Sequence, residues 1–539
     1  MKLQKIKNLI KPLCPSETIT VFNREIQAKY LLWILLFLGI FLRVFYLGAV
    51  PGGLNQDEAF AGYEAYSLVK YGVDSSGYAF PVYFVSWGSG MNVLNSYLMM
   101  PFIAIFGVHA WTVRFPQVLT ACVSLYIFYR LFKRFLGEKQ ALTALAVLAI
   151  CPWHIMMSRW GLESNLAPGF LLFGLYAFVL GVEKPKFYIV SAVCYGLSLY
   201  CYATIWPVVP LLLILQALYL VWVKKFKISI EMVIAVVVLA FLAMPLLFFL
   251  LINNGYMDEI KLGFFSIPKL IYMRDSEISF SNISMNFKNL WNILWTQNDS
   301  LIWNCTEKFG LYYKGGFVVA IAGFIYSGYR TIKSIIKRKF DLHALLMINF
   351  LVALALGCLV YVNVNRINCI HISIVAFIAV ALFRFFDVIC KKTAAGKYAV
   401  AAVVLAGYLG VFSFANYYFE EYAKIIEPVF QKGLDEALEY ANEIAQENDT
   451  IYVSPIYSYS KVLLLDEFPV KEYIDTVQFS NYPSAYLTAS SFGKYVFDFD
   501  TLYGEGVYVV DKDYGQSLIE YGFDVKVFDT VAVAKYNYN

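Results

Sequence analysis

Two neighbouring carboxylates, Asp57 and Glu58, stand a few residues beyond the first long apolar run, Leu31 to Gly48. An ionised acid is costly at membrane depth, so a pair in this place either meets water or is buried with partners. A positioned carboxylate can take a proton from a hydroxyl, which makes Asp57 a candidate general base against the bilayer surface. Further fixed charges follow: Arg159 and Glu163, then Arg274 and Asp299, then Arg366. Arginines beside carboxylates suit an anionic ligand, because the guanidinium fork matches phosphate oxygens. A lipid-linked phosphate would lie at this depth, its tail in the bilayer and its head among these side chains. A sugar on such a phosphate already has a good leaving group. What remains is a base for the acceptor hydroxyl and cations for the departing charge. On this reading Asp57 is the base, Glu163 orients it or serves as a second carboxylate, and one displacement inverts the anomeric carbon.

The elements that must hold these residues are apolar helices. The 539-residue chain is 60% hydrophobic, with a mean hydropathy of +0.60. Apolar runs near helix-span length recur between short polar breaks, the pattern of a polytopic helical membrane protein. No small-residue cleavage site follows Leu31–Gly48, so this run is expected to be a retained anchor. The net charge of +4 is unevenly divided: Asn416 to Asn539 holds 21 acids against 8 bases. An acidic tail argues against nucleic acid as a partner. The cysteines show no CxxC pair and the four histidines no metal-ligand spacing, so neither a disulfide frame nor a zinc site is read. No cofactor is assigned, and a divalent ion held by carboxylates stays open.

Charge sets the orientation. Basic clusters lie at Lys2–Lys11, Arg130–Lys139, Lys184–Lys186, Lys224–Lys227, Arg330–Lys339 and Lys391–Lys397. If all are cytoplasmic, the spans between them come in pairs. Eleven spans satisfy this: Leu31–Gly48, Val113–Arg130, Ala141–Met157, Leu166–Gly181, Phe187–Thr204, Val208–Val223, Ile230–Ile252, Gly316–Thr331, Ala344–Tyr361, Ile370–Asp387 and Tyr398–Ala415. The run Asn92–Gly107 would reverse the later loops if it crossed, so it is expected to lie at the interface or re-enter it. Four segments then face outward: Ala49–Thr112, Ser158–Asn165, Asn253–Gly315 and Val362–Asn368. The N-terminus is cytoplasmic and the tail extracytoplasmic. Residues 1–415 form the transmembrane domain, and 416–539 a small α/β domain. In that domain Pro428–Gln446 reads as a helix, and Thr450–Ser454, Val507–Val510, Val525–Phe528 and Val531–Tyr536 read as strands.

The ordered set Asp57-Glu58, Arg114-Phe115-Pro116, Cys151-Pro152-Trp153-His154 and Ser158-Arg159-Trp160-Gly161-Leu162-Glu163 resembles the membrane glycosyltransferases of family 39. That family includes protein O-mannosyltransferases and aminoarabinose transferases of lipid A, with the GT-C fold. Tyr63-Glu64-Ala65-Tyr66, Gln297-Asn298-Asp299 with Trp303-Asn304, and Asn365-Arg366 are similar to bacterial members. The resemblance covers roughly Phe41 to Val380. It implies a polyprenyl-phosphate sugar donor, an extracytoplasmic acceptor and inversion. By its pattern Asp57 and Glu163 are catalytic, and Arg159 and Arg366 bind the donor phosphate. Relatives often carry a lysine before the interfacial helix, where this chain has Gly90-Met91-Asn92. Glu58, Tyr63, Asp299, Trp303, Asn304, Tyr312 and Tyr313 are candidate substrate contacts.

Two other classes compete. A transporter or flippase of a lipid-linked or anionic substrate would place charges at the bilayer midplane on broken, repeated helices. This chain clusters them in loops, although Pro152, Pro207 and Pro245 could break helices. A scaffold displaying the acidic tail is the third reading.

Overall fold

The computed structural model describes residues 18–21, 24–273, 280–392, 396–447, 449–499 and 506–536. The basic cluster Lys2–Lys11 and Arg274 lie outside the described residues. Fifteen helices run first: α1 (Ala28–Val44), α2 (Gln56–Tyr71), α3 (Leu94–Phe106), α4 (Ala110–Leu136), α5 (Glu138–Ala149), α6 (Pro152–Met157), α7 (Ala167–Gly181), α8 (Lys186–Ser198), α9 (Ile205–Trp222), α10 (Ile230–Asn253), α11 (Ile283–Thr296), α12 (Gly316–Ile336), α13 (Leu342–Leu359), α14 (Asn368–Lys392) and α15 (Gly396–Phe430). The small domain adds α16 (Leu434–Ile444), α17 (Tyr459–Leu465), α18 (Val470–Thr476) and α19 (Lys512–Ser517).

All eleven expected spans fall on helices. Among the described residues, seven helices are long and apolar enough to cross a membrane: α4, α7 with its preceding turn, α9, α10, α13, α14 and α15. The other four expected spans lie on α1, α5, α8 and α12, with 17, 12, 13 and 21 residues. The expected span Ala141–Met157 is interrupted, because Pro152 has no N–H to continue the ladder and pushes Cys151 out of the helical region. The freed N–H of Trp153 donates to the Leu311 carbonyl at 2.9 Å. The run Asn92–Gly107 forms the 13-residue α3, too short to cross.

The helices around the start of the tail run as follows along the sequence. The boundary at 415 falls inside α15, which continues to Phe430. The cause is a stripe at every fourth residue, Phe414, Tyr418, Tyr422, Ile426 and Phe430, all buried and all on one helical face. The helix expected over Pro428–Gln446 is instead two. Gly433, at φ +89°, turns the chain before α16, a backbone region that suits glycine.

The small domain is a seven-stranded mixed sheet. Its order is Phe523–Phe528, Val531–Tyr536, Val507–Asp511, Ile451–Val453, Tyr495–Val496, Ala489–Phe492, Gln478–Phe479. The four strands expected from sequence are among these. The buried Ile451–Val453 pairs in parallel with both neighbours, Val507–Asp511 and Tyr495–Val496. The domain shares one apolar core with the first loop: Phe60, Tyr63 and Tyr66 of α2 pack with Leu464, Phe468 and Tyr473. Polar ties reinforce this contact. Tyr63 Oη donates to the Phe468 carbonyl at 2.8 Å, and Tyr66 Oη to that of Glu467 at 3.0 Å. Ser460 Oγ donates to the Gln56 carbonyl at 3.1 Å.

Among the described residues, basic clusters meet one another at helix ends. Arg134 pairs with Glu183, which precedes the cluster Lys184–Lys186, and Arg338 lies over the Trp222 ring at 5.3 Å. Tyr219 Oη meanwhile reaches the Lys339 carbonyl at 3.0 Å.

Candidate active site

Asp57 sits in the first turn of α2. Asn55 caps this helix, its Oδ1 accepting the Asp57 N–H at 3.0 Å, and the acidic first turn complements the helix dipole. Gly72, at φ +77°, ends the helix as left-handed glycines do. The neighbouring Glu58 turns inward. Its carboxylate accepts from Arg114 Nη2 at 2.6 Å and from the Gly161 N–H at 2.6 Å, with both charged side chains fully buried. Arg114 also donates to the Pro51 and Gly53 carbonyls at 2.7 and 2.6 Å. Gly53 itself, at φ +76°, has its Cα so near Phe430 that an added Cβ would stand 2.2 Å from the Phe430 carbonyl oxygen. The start of α2 is thus held from three directions.

Glu163 lies in the tight second loop, at the start of a short turn of helix. Its Oε2 accepts the Asn92 N–H, joining the second loop to the strand Met91–Asn92. Asn95 Nδ2 donates to the Gly161 carbonyl at 2.6 Å. Asn368 bridges the second and fourth loops, accepting from Trp153 Nε1 at 2.9 Å and donating to Asn165 Oδ1 at 3.0 Å. Asp299 joins the third and fourth loops: its Oδ2 accepts from Asn304 Nδ2 at 2.8 Å and from the Val364 N–H at 2.9 Å. That contact fixes the loop carrying Arg366, whose carbonyl also accepts from Thr204 Oγ1 at 3.2 Å.

These ties enclose a cavity of about 720 Å³. Asp57 from the first loop, Glu163 from the second, Trp303 from the third and Arg366 from the fourth line it, with Lys461 and Tyr486 of the small domain. A fifth connection, around Tyr202–Thr204, also reaches it. All four segments expected on one side therefore meet at a single site. One stretch of wall is aromatic and apolar. There Tyr83 lies 4.5 Å from Phe249 and 5.9 Å from Trp206 by ring centroids, with Leu270 alongside.

Several candidates have other roles. Arg159 is fully buried and lies outside the cavity lining. It donates to the carbonyls of Leu42, Arg43, Tyr46 and Val50 at 2.8–3.2 Å and stacks over Tyr418 and Phe419. The end of α1 and the turn after it present main-chain carbonyls to Arg159, which supplies donors to them; that of Tyr46 also accepts from the Ala49 and Val50 N–H groups. Glu58 holds Arg114, and Tyr63 clamps the small domain, rather than facing the cavity. Asp299 and Asn304 bind each other and the fourth loop. Tyr312 Oη contacts His371 Nδ1 inside the bundle, and Tyr313 Oη donates to the Ile150 carbonyl at 2.8 Å. Among the described residues, no group of three His, Cys, Asp or Glu side chains is placed to hold a metal ion.

The residue that sequence reading missed is Lys461. It is 2% exposed yet lines the cavity, and its Nζ donates to Gln431 Oε1. Burial pushes its ammonium down to about 7, an effect offset in part by Glu58 and Asp57. Nothing in the run Ser460-Lys461-Val462-Leu463-Leu464 marks this position, because the burial arises when α17 packs on α2.

A family model described as dolichyl-phosphate-mannose-protein mannosyltransferase matches residues 89–256. The crystal structure of ArnT from Cupriavidus metallidurans bound to undecaprenyl phosphate is similar with a TM-score of 0.56 and 11% identity. That likeness covers 93% of this chain and 97% of the ArnT chain; the apo form gives a TM-score of 0.53. YycA of Bacillus subtilis (strain 168), a mannosyltransferase by assignment only, is 33% identical over 85 residues. The match spans 16% of this chain and 12% of YycA. The chain shares the fold of ArnT, and its seven long apolar helices make it a multi-pass membrane protein.

Proposed function

We propose that the protein transfers a sugar from a polyprenyl-phosphate-linked donor to an extracytoplasmic acceptor, with inversion at the anomeric carbon. The observation that carries this reading is the meeting of Asp57, Glu163 and Arg366, from three separate loops, on one cavity with an aromatic, apolar wall. A ligand with a lipid tail and an anionic, sugar-bearing head matches such a division of surface. The ArnT neighbour, solved with undecaprenyl phosphate, supports the same donor class.

Asp57 takes the proton of the acceptor hydroxyl. The freed oxygen attacks the anomeric carbon opposite the phosphate, and the bond from that carbon to the phosphate oxygen breaks, its electron pair leaving with the phosphate. Arg366 holds the departing charge. Glu163 serves as the second carboxylate, steadied through Asn92 beside the sugar. A single displacement of this kind inverts configuration. The acceptor is a protein, a cell-wall polymer or a lipid, reaching the cavity beside the third loop and the small domain.

The Lys and Arg clusters in the short connections between the spans support an orientation with those connections cytoplasmic and the small domain outside. Full-length protein supplied with a polyprenyl-phosphate sugar tests the reading: donor turnover lost in Asp57→Asn supports it. Substrate-driven uptake into vesicles without donor cleavage would favour a carrier instead.

A further inference from the structure

Lys461 combines features that do not suit a surface lysine. It belongs to the small domain, it is 2% exposed, and it forms part of the wall of the cavity that holds Asp57 and Arg366. Among the described residues its hydrogen bond goes to the neutral amide oxygen of Gln431, whereas an ammonium carries three donors. The carboxylates acting on it are Asp57 and Glu58, and Glu58 is already committed to Arg114 and Gly161. A buried cation with donor capacity left over is costly unless an anion joins it.

The cavity gives that anion a class. Among the described charged side chains that line it, Arg366 and Lys461 are basic, and Asp57 and Glu163 acidic. A phosphate leaving group gains negative charge as its bond to the sugar breaks, so a second cation on the wall has a direct use. Lysine serves phosphates as a compact point charge, where arginine serves as a fork.

Resting on the donor class proposed above, we infer that Lys461 is a phosphate-binding residue. Through it the small domain completes the donor site from outside the bundle. The domain's attachment to α2 through Tyr63, Tyr66 and Ser460 then sets the position of a substrate contact.

The test is binding of undecaprenyl phosphate to full-length protein in nanodiscs, comparing wild type, Lys461→Met and Lys461→Arg. Methionine keeps the chain length and removes the charge. The expected result is affinity weakened by about ten- to hundredfold in Lys461→Met and largely restored in Lys461→Arg. The melting temperature of Lys461→Met should stay equal or rise, since a buried charge is removed. A merely structural lysine would give the reverse: unchanged affinity with a lower melting temperature, and that result overturns the assignment. Wild type that binds no lipid phosphate would overturn the donor reading as well, so the two failures are distinguishable. Inorganic phosphate, added as competitor, separates the sources. Competition that depends on Lys461 shows that the headgroup alone is read, and competition by the lipid form only places recognition on the lipid-linked phosphate. Either supports the assignment.

Discussion

Glu58 and Arg114 form a fully buried ion pair at 2.6 Å, one residue along the chain from Asp57. The pair ties α2 to α4, and through Gly161 to the second loop. Asp57 therefore projects from a helix whose first turn is anchored by its neighbour. Removing one partner of a buried pair costs about 3–5 kcal/mol, because the other charge is left uncompensated. Glu58→Gln should lower the melting temperature markedly and reduce turnover in whatever folds. A variant with wild-type stability would mean that the pair holds little.

Arg159 and Arg366 are chemically alike and expected to act alike, yet their surroundings separate them. Arg159 serves four main-chain carbonyls outside the cavity; Arg366 lines the cavity. Arg159→Met should lower thermal stability while the folded fraction keeps its donor affinity. Arg366→Ala should weaken donor binding by about tenfold or more with little change in melting temperature. The reverse pattern would return the phosphate role to Arg159.

A second buried carboxylate gives a pH signature. Glu64 of α2 accepts from the Ser75 N–H at 2.8 Å and from the Ser75 and Ser86 hydroxyls at 2.6 and 2.8 Å. Burial nonetheless pushes it up to about 7, from an ordinary 4.5. The folded form then holds a proton that the unfolded form has released between these values. Its stabilising contribution is full below 4.5 and is lost as pH rises through about 7. Asp74, also pushed up by burial, acts in the same direction. Melting temperature should fall as pH rises across that window, and less steeply in Glu64→Gln. An equal slope in the variant would remove Glu64 as the cause.

What could be read in the sequence, and what could not, follows from the range of the forces involved. Spans such as Ile230–Asn253 announce themselves because nearly every residue is apolar over a bilayer's width. The pairing of loops came from Lys and Arg clusters, which depend only on composition, and those loops do meet at one cavity. The strands of the small domain were readable from local alternation. Lys461, by contrast, is a site residue only because a folded domain docks on α2. Arg159 is structural only because the end of α1 and its following turn present main-chain carbonyls to it. Both facts depend on contacts more than 100 residues apart along the chain. Helix α15 continues to Phe430 because its buried stripe runs on past the last apolar window.

The central claim is that Asp57 is the base. The direct measurement is single-turnover cleavage of a polyprenyl-phosphate sugar by purified Asp57→Asn, with lipid-phosphate affinity and melting temperature recorded on the same sample. The account predicts affinity and melting temperature near wild type with turnover lowered by about a hundredfold or more. Turnover at the wild-type rate in that variant would contradict it.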